Sequence, residues 1–116
     1  MAIIVPVNMG QKALTTSIQT VYTCGSISTV GKLGLIKTID VTNTTAGALT
    51  VSIFLVPVGG SNTASNALYY ATPVAANSVL SWRGTHVLSA GGTIQALASG
   101  AGLTINAAGG EYAPTI

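Results

Sequence analysis

The sequence has very few charged residues. Its 116 residues include only four Lys plus Arg, two Asp plus Glu and one His, so charged residues make up 5% and hydrophobic residues 48%. A soluble globular surface is usually about a quarter charged or more. Most of the exterior must therefore consist of Thr, Ser, Asn, Ala and Gly, and such a surface suits contact with a neighbouring protein better than contact with bulk water.

The sequence also lacks the side-chain sets that catalysis and metal binding require. A glycosidase needs two carboxylates that face one bond, and the only two, Asp40 and Glu111, lie in separate segments. One Cys, one His and one Asp could make a triad of Cys24, His86 and Asp40, but nothing in their spacing selects it. A zinc site takes several Cys, His or carboxylate ligands, and these are not clustered. We expect no enzyme activity, no cofactor and no metal.

Long apolar runs, basic clusters and paired cysteines are absent too. The mean hydropathy is +0.62, yet polar residues interrupt every run before the roughly 18 apolar residues of a spanning helix. The early apolar run at residues 2–7 is followed, not preceded, by the first lysine, Lys12, which reverses the order of a secretory signal. With a net charge of +2 there is no phosphate-tracking surface. We expect neither a membrane nor a nucleic-acid partner, and we expect Cys24 to be a buried small hydrophobe.

What the sequence does contain is alternation of apolar and polar residues with a period of two, which is typical of strands. Turn residues separate the alternating segments, and Gly84 marks a bend between two of them. The pattern indicates an all-β fold, an antiparallel β-sandwich of jelly-roll or Ig-like type with about seven or eight strands, in one domain over residues 1–116. The predicted strands are residues 17–24, 33–42, 49–56, 68–72, 78–83, 85–88, 93–98 and 103–107.

Two strands and the turn between them carry more detailed expectations. Alternation in residues 33–42 places Ile39 and Val41 on one face, with Lys37 beside them. The turn residues Asn43–Gly47 lead into residues 49–56, and these two strands are expected to form a hairpin. The run Asn43-Thr44-Thr45 matches the N-glycosylation pattern, but we interpret it as part of the turn.

The N-terminal residues allow two interpretations. Ile3, Ile4, Val5 and Val7 could form an extended arm within residues 1–16 that adds a strand to a neighbour's edge. The same segment could equally be the first strand of the chain's own sandwich. Both alternatives stay open at this stage.

Aromatic residues supply further candidate contacts. Tyr69 and Tyr70 are adjacent and must point to opposite faces of a strand, so that one faces outward. Trp82 shares its strand with apolar residues and is expected in or beside the core. Interfaces are enriched in aromatic residues and arginine, and Arg83 is the only Arg. The candidate interface residues are Ile3, Ile4, Val5, Tyr69, Tyr70, Arg83 and Tyr112.

Several runs resemble small virion proteins of tailed bacteriophages. They are Val41-Thr42-Asn43-Thr44-Thr45, Leu49-Thr50-Val51-Ser52-Ile53-Phe54-Leu55-Val56-Pro57 with Gly59-Gly60, Asn66-Ala67-Leu68-Tyr69 and Val87-Leu88-Ser89-Ala90-Gly91-Gly92-Thr93-Ile94-Gln95-Ala96. The resemblance covers roughly residues 36–111 and consists of strand and turn patterns. It carries no catalytic residues.

The resemblance implies a β-sandwich that attaches to a capsid as a cement or decoration protein. Its partners would be the major capsid protein or other virion proteins. It also implies a homo-oligomer, expected as a trimer, that is made in the host cytoplasm and carried on the virion. Two alternatives stay open: a neck, tail or head-fibre component of the same virion, and a carbohydrate-binding β-sandwich that uses Tyr69, Tyr70 or Trp82.

Overall fold

The computed structural model describes residues 2–27 and 30–114, with side chains for residues 4–25 and 31–112. Besides strands it contains one short 3-10 helix, Ala64–Asn66, in the loop after β6. In the described part of the chain, no helix has the length and apolar character needed to cross a membrane. The strands are β1 (Ala2–Ala13), β2 (Gln19–Thr23), β3 (Ser26–Ile27), β4 (Val30–Gly31), β5 (Leu33–Asn43), β6 (Leu49–Val56), β7 (Ala67–Val74), β8 (Val79–Leu88), β9 (Thr93–Ala98) and β10 (Leu103–Pro114).

Eight of these strands form two four-stranded antiparallel sheets. The first sheet has the order β1-β10-β5-β8 and the second has the order β2-β9-β6-β7, while β3 and β4 form a small separate ribbon. The pairs β1–β10, β2–β9, β5–β8 and β6–β7 are nested inside one another along the chain. This nesting over two sheets is the topology of a jelly roll. The predicted antiparallel β-sandwich is confirmed, and of the two types expected the chain has the jelly-roll order.

The core lies between the two sheets and is built by the alternation seen in the sequence. Strand β9 is the clearest case, because Ile94, Ala96 and Ala98 are buried while the residues between them are half-buried. Cys24 is 1% exposed and packs in the same cluster, so its predicted burial is confirmed. The other buried hydrophobic residues of this cluster are Met9, Leu14, Val21, Ile36, Ile39, Val41, Val51, Ile53, Val74, Leu88, Leu103, Ile105 and Ala107.

The expected hairpin between residues 33–42 and 49–56 is wrong. Strand β5 pairs with β10 and β8 in the first sheet, whereas β6 pairs with β7 and β9 in the second sheet. The turn between them carries the chain across the sandwich. Turn residues show that the chain reverses, but they do not show whether the next strand joins the same sheet.

A buried amide fixes this crossing. Asn43 is 1% exposed; its Nδ2 donates to the carbonyl oxygens of Gly47 at 2.9 Å and Val74 at 3.0 Å. Its Oδ1 accepts from the backbone N–H of Thr45 at 2.9 Å. The amide is therefore held inside the fold, which agrees with its interpretation as part of a turn and not as a glycan acceptor.

The placement of Lys37 beside Ile39 is also wrong. The register of β5 shifts between Ile36 and Thr38 against β8, and that of β10 shifts between Ala108 and Gly109 against β5. Such a bulge inserts one residue and resets the alternation. Ile36 and Ile39 both face the core, and Lys37 is exposed.

The N-terminal segment is paired within this chain. Strand β1 runs antiparallel to β10 from Ala2 opposite Pro114 to Ala13 opposite Thr104, with one irregularity between Asn8 and Gly10. Of the two interpretations of residues 1–16, this pairing corresponds to a strand of the chain's own sandwich. As the first strand in the order of its sheet, β1 has only one neighbour.

Candidate functional site

The outward face of the first sheet carries an apolar area at one end. Strand register places Ile4, Tyr112 and Leu33 in one cross-strand row, and cross-strand neighbours share a face of the sheet. The next row on this face contains Pro6, Gly110, Leu35 and Val87. Three of these side chains are well exposed: Ile4 at 60%, Val87 at 56% and Leu33 at 36%. Exposed apolar side chains gathered on one face are a feature of interaction surfaces, so this area is the candidate functional site.

A groove of about 300 Å³ runs over β10 within this apolar area. Strand β10 contributes only the backbone of Gly109 and Gly110 there, while the flanking strands β1 and β5 carry large side chains. We call this the β10 groove, and its lining residues are Ile4, Pro6, Leu35, Lys37, Thr85, Gly109 and Gly110.

The β10 groove continues into a second, more polar depression of about 450 Å³ along the same strand. The two share Pro6 and Gly109. Asn8, Thr38 and Asn106 line the polar part together with Asp40. The outward face of the first sheet thus changes from apolar to polar along β10.

Both carboxylates of the chain are engaged in ion pairs. Asp40 accepts from the guanidinium of Arg83 at 2.8 Å on the outward face of the first sheet. This bond holds the pKa of Asp40 below its ordinary value. Glu111 accepts from Lys32 at 3.2 Å. Among the described residues, two lysines, Lys12 and Lys37, have no carboxylate partner, which accounts for the net charge of +2.

Glu111 also links the two sheets. The hydroxyl of Tyr22, on β2 of the second sheet, donates to its carboxylate at 2.5 Å. This bond, with the ion pair to Lys32, holds the pKa of Glu111 below its ordinary value. Burial, followed by the same bond, raises the pKa of Tyr22. Burial also raises the pKa of the Cys24 thiol nearby.

The candidate interface residues fall on both sheets. Ile4, Tyr112 and Arg83 lie on the outward face of the first sheet. Val5 lies opposite Glu111 on the inward side and is 48% exposed. The side chain of Ile3 lies outside the described side chains.

Tyr69 and Tyr70 lie on β7 at the edge of the second sheet. Tyr69 packs against the core, and Tyr70 is 64% exposed with its ring edge-on to Phe54 at 6.3 Å. Trp82 is half-buried against the core, and its ring stacks on that of His86 with 4.8 Å between the ring centroids. The three aromatic residues considered for sugar binding therefore do not form one exposed platform.

The groups considered for catalysis lie apart. Asp40 lies opposite Asn106 in the register of β5 and β10. Asn106 is five residues before Glu111 on β10, so Asp40 and Glu111 are separated by roughly 16 Å along the strand direction. Asp40 also faces outward, whereas Glu111 faces the second sheet. Within the described residues, no three His, Cys, Asp or Glu side chains are close enough to hold a metal ion together.

Sequence reasoning missed most of the apolar area. Leu33 and Leu35 lie on β5 and Val87 lies on β8, and only the register of β5 with β10 and β8 places them beside Ile4 and Gly110. The signal available in the sequence was the doublet Gly109-Gly110 within an otherwise strand-forming segment. A glycine doublet would ordinarily indicate a turn that ends the strand. In the structure β10 continues through it, and the two glycines form the floor of the β10 groove.

No protein-family model matches this chain, and no curated protein matches its sequence. The solved structures that match its fold include two of infectious bursal disease virus. The structure of the Gx strain of infectious bursal disease virus has a TM-score of 0.53 at 11% identity over 97% of this chain. The T13 viral particle of infectious bursal disease virus has a TM-score of 0.51 at 12% identity, also over 97%.

This chain spans only 31% and 30% of the two chains that it matches, about a third of their length. At such identities the likeness shows the fold alone. Both structures are of infectious bursal disease virus and neither is of a tailed bacteriophage, so the resemblance to phage virion proteins stays a prediction.

Proposed function

We propose that this chain is a non-enzymatic structural protein of a virus particle, and specifically a capsid cement or decoration protein of a tailed bacteriophage. In this proposal it binds the major capsid protein on the assembled shell as a homo-oligomer, with a trimer expected. It is made in the host cytoplasm and then carried on the capsid surface.

The observation that carries the proposal is the apolar area on the outward face of the first sheet. Ile4 and Val87 are more than half exposed there on a chain whose carboxylates are both already paired. Burying apolar area is the main favourable term in protein association. A surface with so few charges also makes contacts that depend little on salt.

The fold gives secondary support. Jelly rolls occur in viral capsid domains and also in lectins and cupins, and the two solved structures reported above are of a virus. The arrangement of Tyr69, Tyr70 and Trp82 offers no shared platform for a sugar. We therefore prefer the virion role to carbohydrate binding.

A decoration protein acts by mass action. If it binds the assembled lattice and not free subunits, each occupied site favours the lattice by RT ln(1 + [L]/Kd). No chemical step is needed, since the work is done by burial of surface.

The proposal is tested by adding the purified chain to shells from its source that lack it, and to unassembled shell subunits. We expect saturable binding to shells, weaker binding to free subunits and a higher temperature of shell dissociation when the chain is bound. Equal binding to shells and free subunits would contradict a cement role, and no binding to either would overturn the proposal.

A further inference from the structure

The β10 groove combines a bare floor with apolar walls and one cation. A Cβ built on Gly110 would lie 3.1 Å from Cγ2 of Ile4, so any larger side chain here would fill the groove. Ile4 and Pro6 stand on one side, and Leu35 and Lys37 on the other. The two flanking strands are about 10 Å apart, twice the spacing of neighbouring strands, which leaves room for one extended chain.

Lys37 is the only charged residue that lines the β10 groove. Its Nζ donates to the hydroxyl oxygen of Thr85 at 2.6 Å, and no carboxylate of the described residues reaches it. An ammonium group beside apolar walls favours a ligand that supplies a carboxylate, because charge-assisted hydrogen bonds are stronger than neutral ones. A ligand that fits the β10 groove therefore needs both an apolar side chain and a carboxylate.

We propose that the β10 groove binds an extended segment of another protein in which an apolar side chain lies next to a carboxylate. The apolar side chain packs between Ile4 and Leu35, and the carboxylate pairs with Lys37. This inference rests on the proposed function in one respect, since it takes the segment to belong to the shell protein.

The polar depression extends the same site. The groove continues past Pro6 and Gly109 to Asn8, Thr38 and Asn106, whose side chains carry hydrogen-bond donors and acceptors. An extended segment along β10 would meet apolar walls first and amide or hydroxyl groups next. From Asn106 to Gly110 this path is about 13 Å long at the rise of a strand.

A second copy of this chain fits the groove less well than another protein. The sequence contains two acidic residues, and both are already bound, Asp40 by Arg83 and Glu111 by Lys32 and Tyr22. A second copy would have to break one of these ion pairs to supply a side-chain carboxylate to Lys37. A different protein brings its own.

The test compares pairs of matched variants in the shell-binding measurement. Lys37→Glu reverses the charge in the groove, and Lys12→Glu reverses the other unpaired lysine, which lies on edge strand β1. Ile4→Ser removes an exposed apolar wall, and Val79→Ser changes a side chain that is 53% exposed at the far end of the same sheet. All four positions are well exposed, so folding should be retained, which circular dichroism checks.

We expect Lys37→Glu to weaken shell binding about tenfold or more, as the loss of a charged hydrogen bond implies, and Ile4→Ser to weaken it clearly. Lys12→Glu and Val79→Ser should bind within about twofold of the unchanged chain. If Lys37→Glu binds as well as the unchanged chain, or if Lys12→Glu weakens binding equally, the β10 groove is not the site.

If the unchanged chain does not bind shells, the proposed function fails. A defined peptide then tests separately whether the β10 groove binds an acidic, apolar segment. The peptide acetyl-Val-Asp-Val-Thr-Val-amide is titrated into the 15N-labelled chain, with the Asn version as the control. We expect amide shifts concentrated at Thr85, Gly109 and Gly110, and smaller shifts with the Asn peptide. Shifts spread over the surface, equal shifts with both peptides, or no shift at all would overturn the proposal.

Discussion

Glu111 is a largely buried charged residue that links the two sheets. Its carboxylate accepts from Tyr22 on the second sheet and from Lys32, which directly precedes β5, and its side chain is 19% exposed. These bonds favour the charged form, so the pKa of Glu111 in the fold is lower than its ordinary value of 4.5. Because its pKa is lowered on folding, the charged carboxylate stabilises the fold at pH values above its ordinary pKa. This contribution is lost as the pH falls through the folded-state pKa.

Replacing Glu111 therefore gives a pH-dependent loss of stability. We expect Glu111→Gln to lower the free energy of unfolding by about 1 kcal/mol at neutral pH, because the amide keeps a hydrogen bond to Tyr22 and loses the charge. The difference should shrink towards zero in acid, where Glu111 is also neutral. Urea unfolding of both forms at neutral and acid pH checks this, and an equal difference at both values would contradict it.

Asp40→Asn is the matched control for this experiment. The pKa of Asp40 is also lowered, by Arg83, but the pair is more exposed, at 33% and 59% of the two side chains. Exposed pairs contribute little. We expect its effect at neutral pH to stay below about 0.5 kcal/mol.

Asn43 supports the crossing between the sheets. Asn43→Ala would leave the buried carbonyl of Val74 and the N–H of Thr45 without their partner. We expect a loss of about 1 to 3 kcal/mol in the free energy of unfolding, the usual cost of unsatisfied buried groups. Urea unfolding measures it. Asn62→Ala, at an exposed loop position with one bond to Gln95 at 3.2 Å, should change it by less than about 0.5 kcal/mol; equal effects would count against the role of Asn43.

Single residues were predictable from the sequence where composition alone decides the outcome. Cys24 is buried because a lone cysteine behaves as a small hydrophobe. Alternation predicted that one of Tyr69 and Tyr70 faces outward, and the structure shows that it is Tyr70. The burial of Asn43 was not predictable, because its partners Gly47 and Val74 are fixed by the fold and not by the local sequence.

At the scale of elements, most strands were predictable and their pairing was not. The two strands expected at residues 78–83 and 85–88 are one continuous strand, β8. Residues 49–56 and 93–98 match β6 and β9, since an apolar residue recurs at every second position through both. Strand β10 extends to Pro114 through Gly109 and Gly110, which a propensity argument reads as a turn. The bulge at Lys37 likewise arises from pairing between strands, so alternation along one strand could not show it.

The close approach of Gly109 on β10 to the bulged segment of β5 is open to a direct test. A Cβ at Gly109 would overlap the carbonyl oxygen of Leu35 on β5, so Gly109→Ala must displace backbone. We expect a loss of about 2 kcal/mol or more in the free energy of unfolding, measured by urea unfolding. Gly47→Ala, where nothing lies within 4 Å of the added atom, is the control and should leave stability nearly unchanged. Similar effects at both positions would contradict the described register of β10 and β5.

At the scale of the whole molecule, the fold accounts for the unusual composition. Two ion pairs bind both acidic residues, two lysines have no carboxylate partner among the residues that the structure describes, and one of these lies in the β10 groove. The outward face of the first sheet holds exposed apolar side chains that a monomer in water does not need. The sequence alone indicated protein contacts as the function, but the face proposed to make them depends on how the two sheets form.

The copy number of this chain in purified virus particles from its source tests the central proposal most directly. Quantitative mass spectrometry gives its ratio to the major capsid protein. We expect a ratio close to that of the shell subunit, because a cement or decoration protein occupies sites that repeat over the lattice. A far lower ratio would contradict the cement role and favour a neck, tail or fibre component, and absence from the particles would contradict the virion role altogether.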